Sequence, residues 1–189
     1  TPAQQSFTPL LNGNNANLII TYPQQVNASF SGNNQTPLTI FINSTQINIA
    51  QNYTFGAGSW IVNYSAQQNQ NYSSFLAYLN LTINQAQSQI SLKLNNSQNN
   101  ITITRETSIW LNATVQTGDQ AAILQLYNNG TLINQRAIEV SNLTQFNSTG
   151  IFNITAIYQS TQNYTSSTQT FYVTVLQETI PPAISITYP

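Results

Sequence analysis

The sequence predicts an all-β chain built as two tandem antiparallel sandwiches, and three observations carry that prediction. Apolar and polar residues alternate over short runs, as where Leu79, Leu81 and Ile83 flank Asn80 and Thr82, which is the period of a strand with one face in a core. Gly- and Asn-rich turns recur about every eight to twelve residues, and no run carries a helical period. The chain also repeats itself.

In chain order, residues 11–21 (LNGNNANLIIT) run parallel to 94–104 (LNNSQNNITIT), each reading as a strand end, a polar turn and a new strand. Asn27-Ala28-Ser29-Phe30 with Gly32 then follows the course of Asn112-Ala113-Thr114-Val115 with Gly118, the second main strand. Gly58, Trp60 and Val62 match Gly150, Phe152 and Ile154, and Asn71-Tyr72 matches Asn163-Tyr164, both at an offset of 92 residues. The closing strands keep that offset, Leu79, Leu81, Thr82 and Ile83 against Phe171, Val173, Thr174 and Val175. Two Ig-like units follow, 1–86 and 87–179, with 180–189 as a protruding strand. The expected inward residues are Trp60, Val62, Leu79, Leu81 and Ile83 in the first unit. In the second they are Trp110, Leu124, Leu126, Phe152, Ile154, Phe171, Val173 and Val175. Both Trp read as core anchors rather than sugar-stacking platforms, because each sits in an apolar alternation.

Composition narrows the function. The charged residues are Lys93, Arg105, Arg136, Glu106, Asp119, Glu139 and Glu178, too few to steer nucleic acid or anionic lipid. The absence of Cys, His and Met removes thiolate and imidazole nucleophiles, the usual zinc and copper ligands, and disulfides. No catalytic residue, metal site or cofactor is expected beyond covalent N-linked glycans. With four carboxylates, little native stability can be lost to protonation, so an acidic exterior is tolerated. No run of apolar residues is long enough for a transmembrane helix, and the chain starts at Thr1, as a processed mature chain would.

Sugar is the expected solubilising layer. Fifteen Asn-x-Ser/Thr sequons occur, at Asn27, Asn34, Asn43, Asn52, Asn63, Asn71, Asn80, Asn95, Asn100, Asn112, Asn129, Asn142, Asn147, Asn153 and Asn163. With 27 Asn and 42 Ser plus Thr, chance would place about six, so the excess reads as acceptor sites. Bulky hydrophilic glycan would take the place of the missing charges. The sequons imply an extracellular, secreted protein.

The tail carries the remaining signal. Ile184, Ile186 and Tyr188 alternate with Ser185 and Thr187, a half-buried strand held off the preceding domain by Pro181-Pro182. It sits where an opening strand such as Ile90-Ser91-Leu92-Lys93-Leu94 follows the first unit. The first unit's own opening run, with Phe7, Leu10 and Leu11, carries Pro9 in its middle and reads as a poor ladder strand. A spare strand at one end and a weak one at the other predict pairing between copies, a head-to-tail contact that does not close and grows a homopolymer. Phe7, Leu10 and Leu11 are the alternative donor. Lys93, the single lysine, is expected to guard a sheet edge; the other reading is an isopeptide crosslink to an Asn beside Asp119 or Glu178.

The lack of Cys, the dense sequons, the tandem β-units and the spare strand together resemble the subunit of the archaeal thread, a surface filament of thermoacidophilic archaea. The resemblance implies a heavily N-glycosylated pilin joined by donor-strand complementation, serving adhesion or cell–cell contact. The rival expectation is a pair of Ig-like modules from a larger S-layer or adhesin protein binding a surface ligand, in which the tail opens a third module. A glycosidase would need two carboxylates facing one cleft, and Glu106, Asp119, Glu139 and Glu178 are scattered.

Overall fold

The computed structural model describes residues 1–33 and 36–178. All regular structure in them is strand, arranged as two sandwiches. One compact unit is Thr1–Ala86 with Gln162–Thr165, and the other is Gln87–Thr161 with the segment from Ser166. Residues 180–189, with Ile184, Ile186 and Tyr188, lie outside the described residues, as does Asn34.

The first unit contains β1 (Ser6–Leu11), β2 (Leu18–Thr21), β3 (Val26–Asn33), β4 (Leu38–Ile42), β5 (Thr45–Ile47), β6 (Asn52–Tyr53), β7 (Gly58–Ala66) and β8 (Phe75–Asn84). The second contains β9 (Gln89–Leu94), β10 (Ile101–Thr104), β11 (Ser108–Thr117), β12 (Ile123–Asn128), β13 (Thr131–Ala137), β14 (Glu139–Gln145), β15 (Gly150–Tyr158) and β16 (Ser167–Leu176). Each unit faces a three-stranded sheet, β1-β3-β6 or β14-β11-β9, against a five-stranded one, β2-β8-β7-β4-β5 or β10-β16-β15-β12-β13. β2 on β8 and β10 on β16 pair in parallel, while the remaining pairs are antiparallel.

The local chemistry of this layout is duplicated. Between β1 and β2 the chain turns through Asn12 and Gly13, at φ 47° and 80°, and between β9 and β10 through Asn95 and Asn96, at 49° and 67°. Asn and Gly accept left-handed backbone at low cost. Reciprocal backbone bonds close each turn, Leu11 with Asn14 (2.9 and 3.0 Å) and Leu94 with Ser97 (2.8 and 2.9 Å). The turn passes the chain from the smaller sheet to the larger one.

Between the sheets of the first unit lie Phe7, Leu11, Val26 and Ala28 from one side and Ile40, Ile42, Val62, Tyr64, Leu81 and Ile83 among those from the other. The second unit buries Leu92, Leu94, Ile109, Leu111 and Val140 opposite Leu124, Leu126, Ile154, Tyr158, Val173 and Val175. These inward residues match expectation except at the aromatics. Trp60 is half-buried at the margin of the core, its Nε1 donating to Gly56 O (3.1 Å). Phe152 and Phe171 are also half-buried. Trp110 is a correction: its ring points outward and is 50% exposed. Ile109-Trp110-Leu111 is an apolar triplet, and the strand's phase is set by Ile109, Leu111 and Ala113, all buried, which puts Trp110 on the other face.

Two further expectations are corrected. Leu11 pairs with Ala28, and Leu94 with Leu111, so Ala28 corresponds to Leu111 and the matching of Asn27-Ala28 to Asn112-Ala113 was two residues out of step. A slip of two keeps each side chain on its face. The mid-run Pro9 does not spoil β1, which pairs with β3 over all six residues. β1 is an edge strand, and the Pro9 carbonyl, turned to the open edge, accepts from Asn15 Nδ2 (2.7 Å). Its ring nitrogen therefore faces where no ladder partner stands, a place where a strand tolerates proline. Phe7 and Leu11, named as an alternative donor with Leu10, are buried in their own unit.

The Tyr64 phenol is buried and donates to Leu10 O (2.7 Å), tying β7 to β1. Burial pushes this phenol up from its ordinary 10.0. The folded chain then holds the proton more tightly than the unfolded one, so stability is whole below pH 10 and falls as pH rises past it. Urea titrations from pH 8 to pH 11 should show this loss. Tyr64→Phe should flatten the slope while lowering stability by about 1 kcal/mol for the lost hydrogen bond.

Candidate functional site: a glycan-acceptor surface

Fourteen of the fifteen sequon asparagines are among the described residues, and none is buried. Asn43, Asn52, Asn71, Asn80, Asn95, Asn100, Asn129 and Asn147 are exposed, and Asn27, Asn63, Asn112, Asn142, Asn153 and Asn163 are half-buried. In a chain with so few charges these amides form much of the polar outer face, since a strand points alternate residues outward.

Their geometry separates them. N-linked sugar attaches at Nδ2, so an asparagine whose Oδ1 is occupied by backbone presents Nδ2 in a fixed direction. Asn43 Oδ1 accepts from Ile61 N (3.1 Å), Asn100 Oδ1 from Tyr172 N (2.9 Å) and Asn129 Oδ1 from Asn153 N (2.8 Å). Asn43 and Asn129 hold equivalent places in the two units, in the turns after β4 and β12, both left-handed at φ 48° and 46°. Each also donates its own N–H across, to Ile61 O (2.9 Å) and Asn153 O (2.8 Å). Other sequon asparagines are engaged at Nδ2 itself: Asn27 donates to Asn52 Oδ1 (3.0 Å) and Asn142 to Thr144 Oγ1 (2.8 Å). Asn63 keeps its Oδ1 buried without a hydrogen-bond partner.

What the sequence reading missed is the company these asparagines keep. Outward apolar residues sit directly across strands from them: Ile61 opposite Asn80, Tyr78 opposite Asn63, and Tyr172 opposite Asn153. Ile61, Tyr78 and Tyr172 are 49%, 57% and 44% exposed. Opposed residues have Cβ atoms about 4.5–5.5 Å apart, so these apolar side chains stand within reach of a sugar on the asparagine. The strand alternation contained this signal, because residues out of phase with Leu79, Leu81 and Val173 must face outward.

Ionisable groups are dispersed. Arg105 pairs with Glu106 (3.1 Å) on the surface, Glu139 and Glu178 are exposed, and Asp119 is half-buried with Oδ2 accepting from Thr161 Oγ1. Among the described residues no group of three or more Asp or Glu is placed to hold a metal. Lys93 is exposed on the edge strand β9, paired with Asn112 of β11. That is the place of an edge-protecting lysine, and neither Asp119 nor Glu178 forms an ion pair with it.

No family model matches the sequence, and no curated protein matches it. Solved structures of tandem modules are similar over most of its length. The fibronectin(III)-like modules of Clostridium thermocellum CbhA share 13% identity over 94% of this chain and 100% of theirs, with a TM-score of 0.37. The titin domains z1z2, solved in complex with telethonin, share 15% over 93% and 99%, with a TM-score of 0.45. A titin Ig tandem shares 7% over 92% and 100%, with a TM-score of 0.35. At such identities and scores these likenesses carry no argument about function, and the description of the fold rests on the strand pairing.

Proposed function

We propose that the chain is a structural subunit of an extracellular surface filament, clad in N-linked glycan and joined to further copies of itself through a donated strand. It acts in adhesion or cell–cell contact and has no catalytic role, no metal and no cofactor. The observation that carries the reading is that all fourteen described sequon asparagines reach the surface of a chain with seven charged residues. Such a surface needs another hydrophilic layer to stay dispersed, and covalent sugar supplies it. Sequon glycosylation takes place on the export route, so the same layer supports an extracellular location.

The donated strand is 183–188. Its Ile184 and Ile186 stand 92 residues after Leu92 and Leu94 of β9, the offset that relates the later strands of the two units. It thus has the place and pattern of an opening strand. β1 holds that position in the first unit at the sheet edge, with a neighbouring strand on one side only. It is the strand that a second copy's tail could most readily replace or extend. The same placement favours a second reading, in which the tail opens a third module of a longer adhesin or S-layer protein.

Glycopeptide mass mapping of protein from its native source tests the coat. Sugar is expected at the exposed acceptors, with Asn43, Asn100 and Asn129 among the fully occupied. A chain of unmodified mass throughout would overturn the reading.

A further inference from the structure

Trp110 poses the plainest question on this surface. Trp110, 50% exposed, stands directly across from Leu143, 54% exposed, so the two make an outward apolar patch on the smaller sheet of the second unit rather than a lone exposed side chain. Two residues on, on the same face of β11, stands Asn112, and two further stands Thr114, the hydroxyl of the sequon. The spacing recurs as Tyr78-Leu-Asn80-Leu-Thr82 on β8, Phe41-Ile-Asn43-Ser-Thr45 at the end of β4 and Tyr127-Asn-Asn129-Gly-Thr131 at the end of β12. Tyr78 is exposed, and Phe41 and Tyr127 are half-buried, each out of phase with the buried residues of its strand.

We infer that these four aromatic rings are platforms for the chain's own glycans: the first sugar on Asn43, Asn80, Asn112 and Asn129 lies on the ring two positions before it. On β8 and β11 the ring and the asparagine, at i and i+2 of one strand, are about 6.6 Å apart on one face, a distance the Asn side chain and one pyranose ring span. Asn43 and Asn129 stand in the left-handed turns just past β4 and β12, where the bond to Oδ1 sets the direction of Nδ2. The apolar C–H face of a hexose meets the ring, while its hydroxyls stay in water.

The best-formed example surrounds Asn129. Tyr127, Asn129, Gly130, Asn153, Thr155 and Ile157 line a groove of about 420 Å3 on the outer face of the larger sheet. Asn129 is held in its lining by Asn153 N (2.8 Å) on Oδ1, and Gly130, at φ 77°, makes the tight turn and adds no side chain. Asn43, in the equivalent turn beside Phe41, is pinned in the same way. The tether names the occupant as the chain's own sugar, since Asn129 and a second sequon asparagine, Asn153, both line the groove.

The inference rests on the proposed glycan coat and is tested on the glycosylated full chain carrying Trp60→Phe, so that Trp110 is the sole tryptophan. Acrylamide quenching of its fluorescence is compared with and without the Asn112 sequon, removed independently by Asn112→Gln and by Thr114→Ala. A sugar covering the exposed face removes about half of the ring's remaining contact with water. The quenching constant should therefore rise roughly two-fold in both variants, with emission shifted to the red. Unchanged quenching in variants that fold as the parent does, while mass mapping finds sugar on Asn112 of the parent, would overturn the inference and leave the coat standing. An Asn112 without sugar overturns it at this platform, and a chain without any sugar overturns coat and platforms together.

Discussion

Leu111→Ala should cost the second unit about 2–5 kcal/mol, whereas Trp110→Ser in unglycosylated protein should cost less than about 1 kcal/mol, although the tryptophan is much the larger side chain. Leu111 is fully buried on β11, facing the strands of the other sheet, and its neighbours cannot collapse to fill the space its removal leaves. Trp110 stands opposite Leu143, itself 54% exposed, so its removal leaves no cavity. Urea unfolding of the two variants measures the contrast directly. Equal losses would mean that β11 is turned the other way, because a one-residue slip exchanges the two faces.

Ile184→Asp combined with Ile186→Asp should leave a chain that folds but does not polymerise. Burying each isoleucine against a second copy contributes roughly 1.5–3 kcal/mol. An aspartate at either position replaces that gain with the cost of burying an unpaired charge. Among the described residues both sandwiches have cores of their own, and a tail donated to a second copy adds nothing to them, so thermal unfolding should stay at the parent value while sedimentation changes from long polymers to a single small species. Polymers of unchanged length in the double variant would remove the tail from the contact.

Much of this fold was legible in the sequence because strands declare themselves by period two and because the layout is written twice. Gly58 with Ile83 and Gly150 with Val175 keep their 92-residue offset in the paired strands. What stayed hidden has physical causes. The apolar triplet Ile109-Trp110-Leu111 gives no phase of its own, and only packing decides which of the three faces out. β5 and β6, of three and two residues, are too short to show a period. Proline in β1 warned against a ladder, yet at an edge the missing N–H is not required. The sequons were legible as a motif, whereas the pinned Oδ1 atoms of their asparagines and the exposed rings across from them depend on register.

Electron microscopy of negatively stained material from the native source tests the filament most directly. Fibres assembled from end-to-end repeats of a two-module unit are predicted, persisting in mild denaturant and absent when Ile184 and Ile186 are both aspartate. Fields of isolated two-module particles from the unmodified chain would contradict it.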